Sequence, residues 1–220
     1  MHPGRSIALL IGASVLVGAC STTSTPPSPP PSSSLPGTTA DPATASPGAP
    51  GARAELSAAD LQGRWWTWAA SSVSASNPVS DQDGHLCAQG QPGDIWFLAG
   101  TFGGTATRSC TVPAKVPLAF PLVNTFGEAA DCTAFMASAQ GSALLDGRAL
   151  EAERYEATPV RITAVDGNPL TGESGRFRSQ ACGLWVQLEP LSPGSHTLNI
   201  RGSSGSFAIA VDYKLQVAAG

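Results

Sequence analysis

The sequence predicts a mainly β protein, an antiparallel β-sandwich with an N-terminal helix and one further short helix. Many short runs alternate apolar and polar residues with the period of two that half-buried strands require. Turn dipeptides such as Asp-Gly separate these runs, and only two segments suggest helices. Many short strands with few helices indicate a sandwich, and a jelly roll is one topology that fits the pattern.

The first predicted element is a helix. Ser57, with an acidic residue three positions later, forms a weakened capping box. Leu61, Trp65 and Trp68 then follow at the spacing i, i+4 and i+7, which places them on one helix face. We expect Trp65 and Trp68 to anchor the core, while Trp66 points elsewhere.

The strands follow a break at Asn77-Pro78. We expect strands at 95–98, 116–122, 160–164, 184–189 and 207–217. The second of these contains Pro117 and Pro121, which cannot donate to a β-ladder, so it should lie at a sheet edge or contain a bulge.

Two further elements lie between these strands. Asp146-Gly147 separates two apolar runs, 143–145 and 148–150, and predicts a β-hairpin. A second, short helix is expected from Glu128 to about Ala139. Together these elements fill one domain over residues 54–220, a length that suits a single core.

The chain begins with the pattern of a secretory signal peptide. Arg5 precedes an apolar stretch over 7–17 that is too short to span a bilayer. The ending Val17-Gly18-Ala19-Cys20 resembles the bacterial lipobox, which implies that Cys20 is lipidated and becomes the mature N-terminus. Residues 1–19 would then be removed, and the protein would be held at the extracytoplasmic side of a membrane. Ordinary cleavage after Ala19 is the alternative.

Residues 20–53 form the predicted linker. After Cys20 this segment holds nine of the chain's 19 prolines, and Ser, Thr, Ala and Gly supply most of the rest. Such a composition has too little apolar surface to offset its ordering entropy, so we expect a disordered spacer. The 33 residues after Cys20, 21–53, would span about 30 Å as a flexible coil.

Charge argues against nucleic acid as a partner. The formal net charge is −4, and 13% of residues are charged, against about 25% in typical soluble proteins. The sequence holds no basic cluster, and a mildly acidic chain would be repelled by a phosphate backbone.

Four cysteines remain if Cys20 carries lipid: Cys87, Cys110, Cys132 and Cys182. An even number in an exported chain predicts two disulfides, with three connectivities open. Pairing Cys87 with Cys110 and Cys132 with Cys182 is favoured, because the other pairings tie more distant parts of the chain. A cysteine metal site is disfavoured, since no C-x-x-C pair occurs.

Residues suited to catalysis are few. The mature chain would keep His85 and His196, and no G-x-S-x-G, H-E-x-x-H or P-loop motif occurs. His196 lies in a turn that enters a strand, where packing or a turn hydrogen bond is its ordinary role. A serine hydrolase would need Ser and Asp residues that no spacing identifies.

The segment from Asp81 to His85 has the most suggestive chemistry. Asp81 and Asp83 could hold Ca²⁺, which binds several oxygen ligands, or with His85 a transition metal. An EF-hand does not fit, because Leu86 and Pro92 stand where that loop needs Gly and Glu. An Asx-type turn is the simpler interpretation.

Two other binding candidates stand apart in sequence. Arg108 follows Gly103-Gly104, where a ligand could approach the backbone closely and present a carboxylate to the guanidinium. A surface arginine after an ordinary turn is the alternative. A glycan binder should expose an aromatic platform, for which Trp66 or Trp185 is the expected supplier.

Several motifs resemble an uncharacterised family of exported bacterial domains. They are C-x-x-G-Q-x-G-x-x-W-F-L-x-G at 87–100, R-x-C-x-V-P at 108–113 and P-L-S-P-G-x-H-T at 190–197. The resemblance covers most of 60–217 and implies no activity. It implies that Cys87 and Cys110 belong to one repeated design, which supports pairing them.

These observations favour a binding or interaction module of the cell envelope. The ligand could be an envelope glycan, a small solute or a protein. The second predicted partner is the membrane, which the protein would contact through the lipid on Cys20. A tethered extracytoplasmic hydrolase is the second hypothesis, and a structural envelope component is the third. No cofactor is predicted beyond the Ca²⁺ alternative.

Overall fold

The computed structural model describes residues 55–219, so the predicted signal peptide and the whole predicted linker, including Cys20, lie outside the described residues. Within 55–219, no helix is both long and apolar enough to cross a membrane. The elements are α1 Ala58–Ala69, a 3₁₀ turn Ser74–Ser76, β1 Trp96–Phe97, β2 Gly104–Val112, β3 Leu118–Gly127, α2 Ala129–Met136, β4 Gln140–Leu145, β5 Arg148–Leu150, β6 Glu153–Ala164, β7 Gly175–Leu188, β8 Gly194–Ser204 and β9 Phe207–Val217.

Two sheets form a sandwich-like arrangement, which confirms the predicted fold class. The four-stranded sheet has the order β1-β3-β7-β6, and the five-stranded sheet has the order β2-β9-β8-β4-β5. Neighbouring strands run antiparallel except in the pairs β1–β3 and β2–β9, which are parallel. Because both parallel pairs involve strands from residues 96–112, this early segment adds one strand to the edge of each sheet.

The four-stranded sheet is covered on both faces. Its inner face packs against the five-stranded sheet in what we call the inter-sheet core, which includes Phe120, Val186 and Val211. Its outer face packs against α1 in what we call the helix-side core, which includes Trp65 and Trp185. Burying an aromatic or aliphatic side chain of this size contributes about 1.5–3 kcal/mol, so the second core is a substantial part of the fold's stability.

Helix α1 forms as the sequence predicts. The Ser57 hydroxyl accepts a hydrogen bond from the Asp60 amide at 3.2 Å and caps the first turn. Trp65 lies at the centre of the buried face and donates its indole N–H to the Leu98 carbonyl at 3.1 Å. On the opposite side the Thr163 amide donates to the Thr67 hydroxyl, so the helix also covers the edge strand β6.

Strand β3 contains the bulge that its prolines predict. The register with β7 shifts between Pro121 and Val123. Before the shift Phe120 faces the inter-sheet core, and after it Phe126 packs against the helix-side core. The bulged backbone lies very close to β8. A Cβ built on Gly202 would lie 1.9 Å from the carbonyl oxygen of Leu122 on β3, so β8 requires glycine at this position.

The hairpin, the second helix and the last strand are also confirmed. Asp146 and Gly147 have φ values of 50° and 79°, as a two-residue turn between β4 and β5 requires. Helix α2 begins after Glu128, and β9 has the bounds expected from its alternation. Strands β6 and β7 begin earlier than expected, and β2 was not predicted.

Two disulfides staple the domain with the favoured connectivity, Cys87–Cys110 and Cys132–Cys182. The first joins the loop before β1 to β2. The second joins α2 to β7 and, with Met136, forms a small third cluster of buried residues. Each bridge therefore fixes an element that is held by few ladder hydrogen bonds of its own.

We predict that mild reduction without denaturant opens Cys87–Cys110 before Cys132–Cys182. A reducing thiolate must reach a sulfur atom, and Cys87 is half-buried, whereas Cys132 and Cys182 are both 0% exposed. Timed reduction, alkylation of the released thiols and peptide mass spectrometry measure the order. Faster labelling of Cys132 and Cys182 would contradict the prediction.

Candidate functional site

Arg108 is a buried structural cation rather than a surface group. Its side chain is 1% exposed, and β2 directs it into the fold. The guanidinium donates hydrogen bonds of 2.8–3.2 Å to the carbonyl oxygens of Val79, Asp81, Ala99 and Gly100 and to the hydroxyl of Tyr213. The expectation that Arg108 meets the carboxylate of a ligand is therefore wrong, because its donors already hold the chain's own oxygens.

Tyr213 completes this arrangement. Its hydroxyl donates to the Ala99 carbonyl at 2.8 Å and accepts from the Ala99 amide at 3.1 Å, as well as from Arg108. Burial raises the pKa of the Tyr213 hydroxyl, so it stays protonated and able to donate. Arg108 and Tyr213 thus join β2, β9, the segment after β1 and the loop around Val79.

The structure brings Asp81, Asp83 and His85 together, as the sequence suggests. Their ligand atoms lie within 4.8 Å of one another, close enough for a metal ion, beside a pocket of about 230 Å³. Asp81 is 4% exposed, whereas Asp83 and His85 are exposed. The two carboxylates accept backbone N–H groups from Asp83, His85 and Leu86, which is the pattern of Asx-type turns.

One imidazole nitrogen of His85 contacts both carboxylates of this loop. The Nδ1 atom of His85 lies 2.6 Å from Asp83 Oδ1 and 3.0 Å from Asp81 Oδ1. The hydrogen bond from His85 lowers the pKa of Asp83, and that same bond raises the pKa of His85. These contacts support the turn interpretation, and Ca²⁺ or a transition metal at this loop stays a prediction.

A Ser–His–Asp group that no sequence spacing identified lies at the β4–β5 hairpin. His196 Nδ1 is 2.7 Å from Asp146 Oδ2, and His196 Nε2 is 3.5 Å from the Ser192 hydroxyl. The same Nε2 lies 2.9 Å from the Ser192 carbonyl oxygen, which can only accept. Both ring nitrogens therefore face oxygen acceptors, and the shorter contact of Nε2 is to the Ser192 carbonyl rather than to the hydroxyl that a catalytic base would deprotonate.

The charge state of His196 fits this interpretation. The Asp146 carboxylate, followed by the Ser192 carbonyl, raises the pKa of His196, whose side chain is 13% exposed. In turn the bond from His196 lowers the pKa of Asp146, which also accepts the Thr197 amide at 2.8 Å. The group ties the hairpin turn to the start of β8.

The strongest candidate site is a small cavity of about 190 Å³, which we call the aromatic pocket. Six segments distant in sequence line it, and no lining side chain is charged. The lining residues are Trp65, Trp66, Val79, Gly100, Thr101, Phe102, Val123, Asn124, Thr125, Phe126, Leu170, Phe207 and Ile209. Phe102 is 48% exposed and is the most exposed of the lining rings, while Phe126 and Phe207 are partly buried.

Two residues that line the aromatic pocket each carry a buried donor with no acceptor among the described residues. The donors are Nε1 of Trp66 and Nδ2 of Asn124. Trp65 and Trp68 on the same helix do find carbonyl acceptors for their indole N–H groups. The other buried polar atoms without a partner in 55–219 belong to Gln62, Trp96 and Trp185, which do not line the pocket.

The β3 bulge places Asn124 in the pocket. Because the register shifts before Val123, Asn124 shares the helix-side face with Phe126, which packs edge-to-face against Trp66 at a centroid distance of 4.7 Å. Asn124 stands opposite Gly183, where an added Cβ would lie 2.8 Å from the Asn124 Cβ. The glycine therefore leaves room for the amide side chain.

The prediction that Trp66 or Trp185 forms an exposed aromatic platform is wrong, because both side chains are buried. Trp66 is 6% exposed and Trp185 is 1% exposed, and both pack within the helix-side core. Tryptophans at adjacent helix positions would ordinarily diverge, but Phe126 on the bulged strand covers Trp66 as well. Trp66 is thus a pocket residue, and neither ring is available for a sugar to stack upon.

Comparison of the chain with protein-family models, with curated proteins and with solved structures finds no match in any of the three. No activity therefore transfers to this chain from a relative. The resemblance carried by the motif at 87–100 stays a prediction.

We predict that Arg108→Met lowers the free energy of unfolding by about 3 kcal/mol or more, because it leaves several buried carbonyl oxygens without a hydrogen-bond donor. Arg108→Lys should retain little of this stability, since an ammonium cannot reproduce the planar fork. Arg176→Met is the control, because Arg176 is exposed on β7 opposite Thr163. This substitution should change the free energy of unfolding by less than about 0.5 kcal/mol. Urea unfolding measures all three, and a wild-type midpoint for Arg108→Lys would contradict the proposed role.

We predict that His196 stabilises the fold most at acidic and neutral pH. Because its folded pKa is raised, the stabilisation is fully present below its ordinary pKa of about 6.5 and is lost as pH rises through the folded value. The difference in unfolding free energy between wild type and His196→Gln should shrink between pH 6 and pH 9. An imidazole titration followed by NMR with a midpoint at or below 6.5 would refute this.

Proposed function

We propose that this protein is a binding module of the bacterial cell envelope, anchored through lipid on Cys20 at the extracytoplasmic side of a membrane. Its aromatic pocket would take a compact, neutral and largely apolar molecule that carries a hydrogen-bond acceptor. One observation carries the proposal: Trp66 and Asn124 both line the cavity, and each has a buried donor that lacks an acceptor among the described residues. The anchor rests on the pattern ending at Cys20, and two disulfides are compatible with an oxidising compartment.

The two donors define the polar part of the ligand. A buried N–H without an acceptor costs about 1–3 kcal/mol, so a ligand oxygen that pairs with one of them regains that free energy. A carbonyl, amide or ether oxygen suits the site. An ionised carboxylate does not, because the lining holds no charged side chain and burying an unpaired charge is costly.

The volume and the lining define the apolar part. An apolar cavity of about 150 Å³ is known to accept a benzene-sized molecule. At about 190 Å³, the aromatic pocket has room for a single ring with a short substituent. Its five lining aromatic side chains offer edges and faces for such a ring.

This evidence orders the three functional hypotheses. A small solute is favoured over an envelope glycan, because Trp66 and Trp185 are buried. A tethered hydrolase finds its best support in Ser192, His196 and Asp146, but Nε2 of His196 lies closer to the Ser192 carbonyl oxygen, at 2.9 Å, than to the Ser192 hydroxyl, at 3.5 Å. A structural component would not need unpaired donors around a cavity.

The test is a binding measurement on the full chain carrying Cys20→Ser, which cannot be lipidated, exported so that the disulfides form. Toluene and benzaldehyde are the probes, because they match in size and differ by one carbonyl acceptor. We predict that the wild-type pocket prefers benzaldehyde, and that Asn124→Leu reduces this preference by about tenfold, the value of one buried hydrogen bond. Thermal shift and isothermal titration report the affinities.

Trp96→Phe supplies the matched control. Trp96 is 8% exposed and also has a buried, unpaired indole N–H, but it does not line the pocket. Trp66→Phe should weaken benzaldehyde binding while Trp96→Phe leaves it unchanged. Equal binding of both probes to the wild type, or equal losses in both tryptophan variants, would refute the proposed pocket.

A further inference from the structure

A second, larger pocket of about 710 Å³ runs along α1 and reaches the start of α2, and we call it the arginine groove. One side of α1, from Ala59 to Thr67, forms one wall, and Glu128 at the start of α2 lies at one end. The central parts of β6 and β7 form the floor, which includes Arg161 and Arg178. The N-terminal turn of α1 carries a partial positive charge of the same sign as the floor arginines, and Asp60 in that turn carries a negative charge.

The sheet register sets two arginines against each other. Arg161 on β6 is the direct cross-strand partner of Arg178 on β7. Like charges in this position repel and destabilise a sheet. Within residues 55–219, neither guanidinium has a hydrogen-bonded or ion-paired partner. By contrast, Arg154 pairs with Glu156 at 2.7 Å.

The carboxylates that line the groove are engaged in helix capping. Asp60 accepts a hydrogen bond from the Ser57 hydroxyl at 2.7 Å. Glu128 accepts the amide of Asp131 in a reciprocal capping box at the start of α2. Arg64, the third arginine of the groove, is paired with Asp94. Both capping carboxylates keep their negative charge in these contacts, but within residues 55–219 neither forms an ion pair with Arg161 or Arg178.

We propose that the arginine groove binds an oxyanion of the phosphate class through Arg161 and Arg178. Guanidinium groups match the oxygens of phosphate in planar, charge-assisted pairs, and two opposed forks can hold one such group between them. A bound phosphate would convert the like-charge repulsion into attraction to a shared anion. The phosphate could belong to a soluble phosphate ester or to a phospholipid headgroup.

This site is separate from the proposed function. The aromatic pocket has no charged lining residue, and the two pockets share no residue. An anion in the arginine groove and a neutral ring in the aromatic pocket would therefore be recognised by different chemistry. Each proposal can fail without the other.

The test compares three variants of the full chain, all carrying Cys20→Ser so that no lipid attaches the protein to vesicles. Arg161→Gln and Arg178→Gln each remove one guanidinium of the pair. Arg176→Gln is the matched control, because it is exposed on the same strand but stands opposite Thr163 and does not line the groove. The probes are inorganic phosphate, glycerol 3-phosphate and vesicles of phosphatidylglycerol, each at constant ionic strength.

We expect phosphate or glycerol 3-phosphate to raise the melting temperature of the wild type and of Arg176→Gln. Arg161→Gln and Arg178→Gln should bind at least about tenfold more weakly, the loss expected for one charge-assisted contact. Without phosphate their melting temperatures should equal or exceed that of the wild type, since each substitution removes the repulsion. This last readout separates a lost site from a damaged fold.

The vesicle measurement identifies the source of the phosphate. Sedimentation with phosphatidylglycerol vesicles that depends on Arg161 and Arg178, without binding of the soluble probes, assigns the groove to lipid headgroups. Binding of the soluble probes with the same dependence assigns it to a soluble ester. No binding of any probe by the wild type, or an equal loss in Arg176→Gln, overturns the proposal.

Discussion

The buried guanidinium of Arg108 connects segments that no ladder joins directly. A cation at 1% exposure must have its hydrogen-bonding capacity satisfied, so the carbonyls that surround it are held in place by that requirement. Two of those carbonyls belong to Val79 and Gly100, which also line the aromatic pocket. Tyr213 extends the same network to β9, from which Ile209 reaches the pocket. The shape of the pocket therefore depends on a charge that lies outside it.

The bulge in β3 is the second constraint on the site. A regular strand would keep Phe126 on the same face as Phe120, inside the sandwich. The inserted residue turns the second half of the strand toward α1, and this brings Asn124 beside Trp66. Two glycines on neighbouring strands permit the altered path, because side chains there would meet the β3 backbone. A polar group thus enters an otherwise apolar layer.

Local patterns in the sequence were sufficient for many elements but not for the site. Alternation defined β9, the Asp146-Gly147 pair defined the hairpin, and prolines indicated the bulge. Strand β2 escaped prediction because Arg108 occupies an inward position and interrupts the apolar alternation. The burial of Trp66 could not be inferred from helical spacing, since Phe126, 60 residues away, covers it. A pocket assembled from six separate segments leaves no local pattern at all.

Arginine illustrates why residue type alone does not identify a function. Arg108 is buried, and five hydrogen bonds satisfy it, so its role is internal. Arg161 and Arg178 are exposed, directly opposed and unpaired within residues 55–219. Their charges therefore add to a positive electrostatic potential at the surface and repel each other. The same logic separates His196, whose two ring nitrogens both have acceptors, from a catalytic base with a free lone pair. A ligand can recognise donors that the fold leaves without acceptors. Trp66 and Asn124 supply such donors at one pocket, and the opposed arginines supply them at the other.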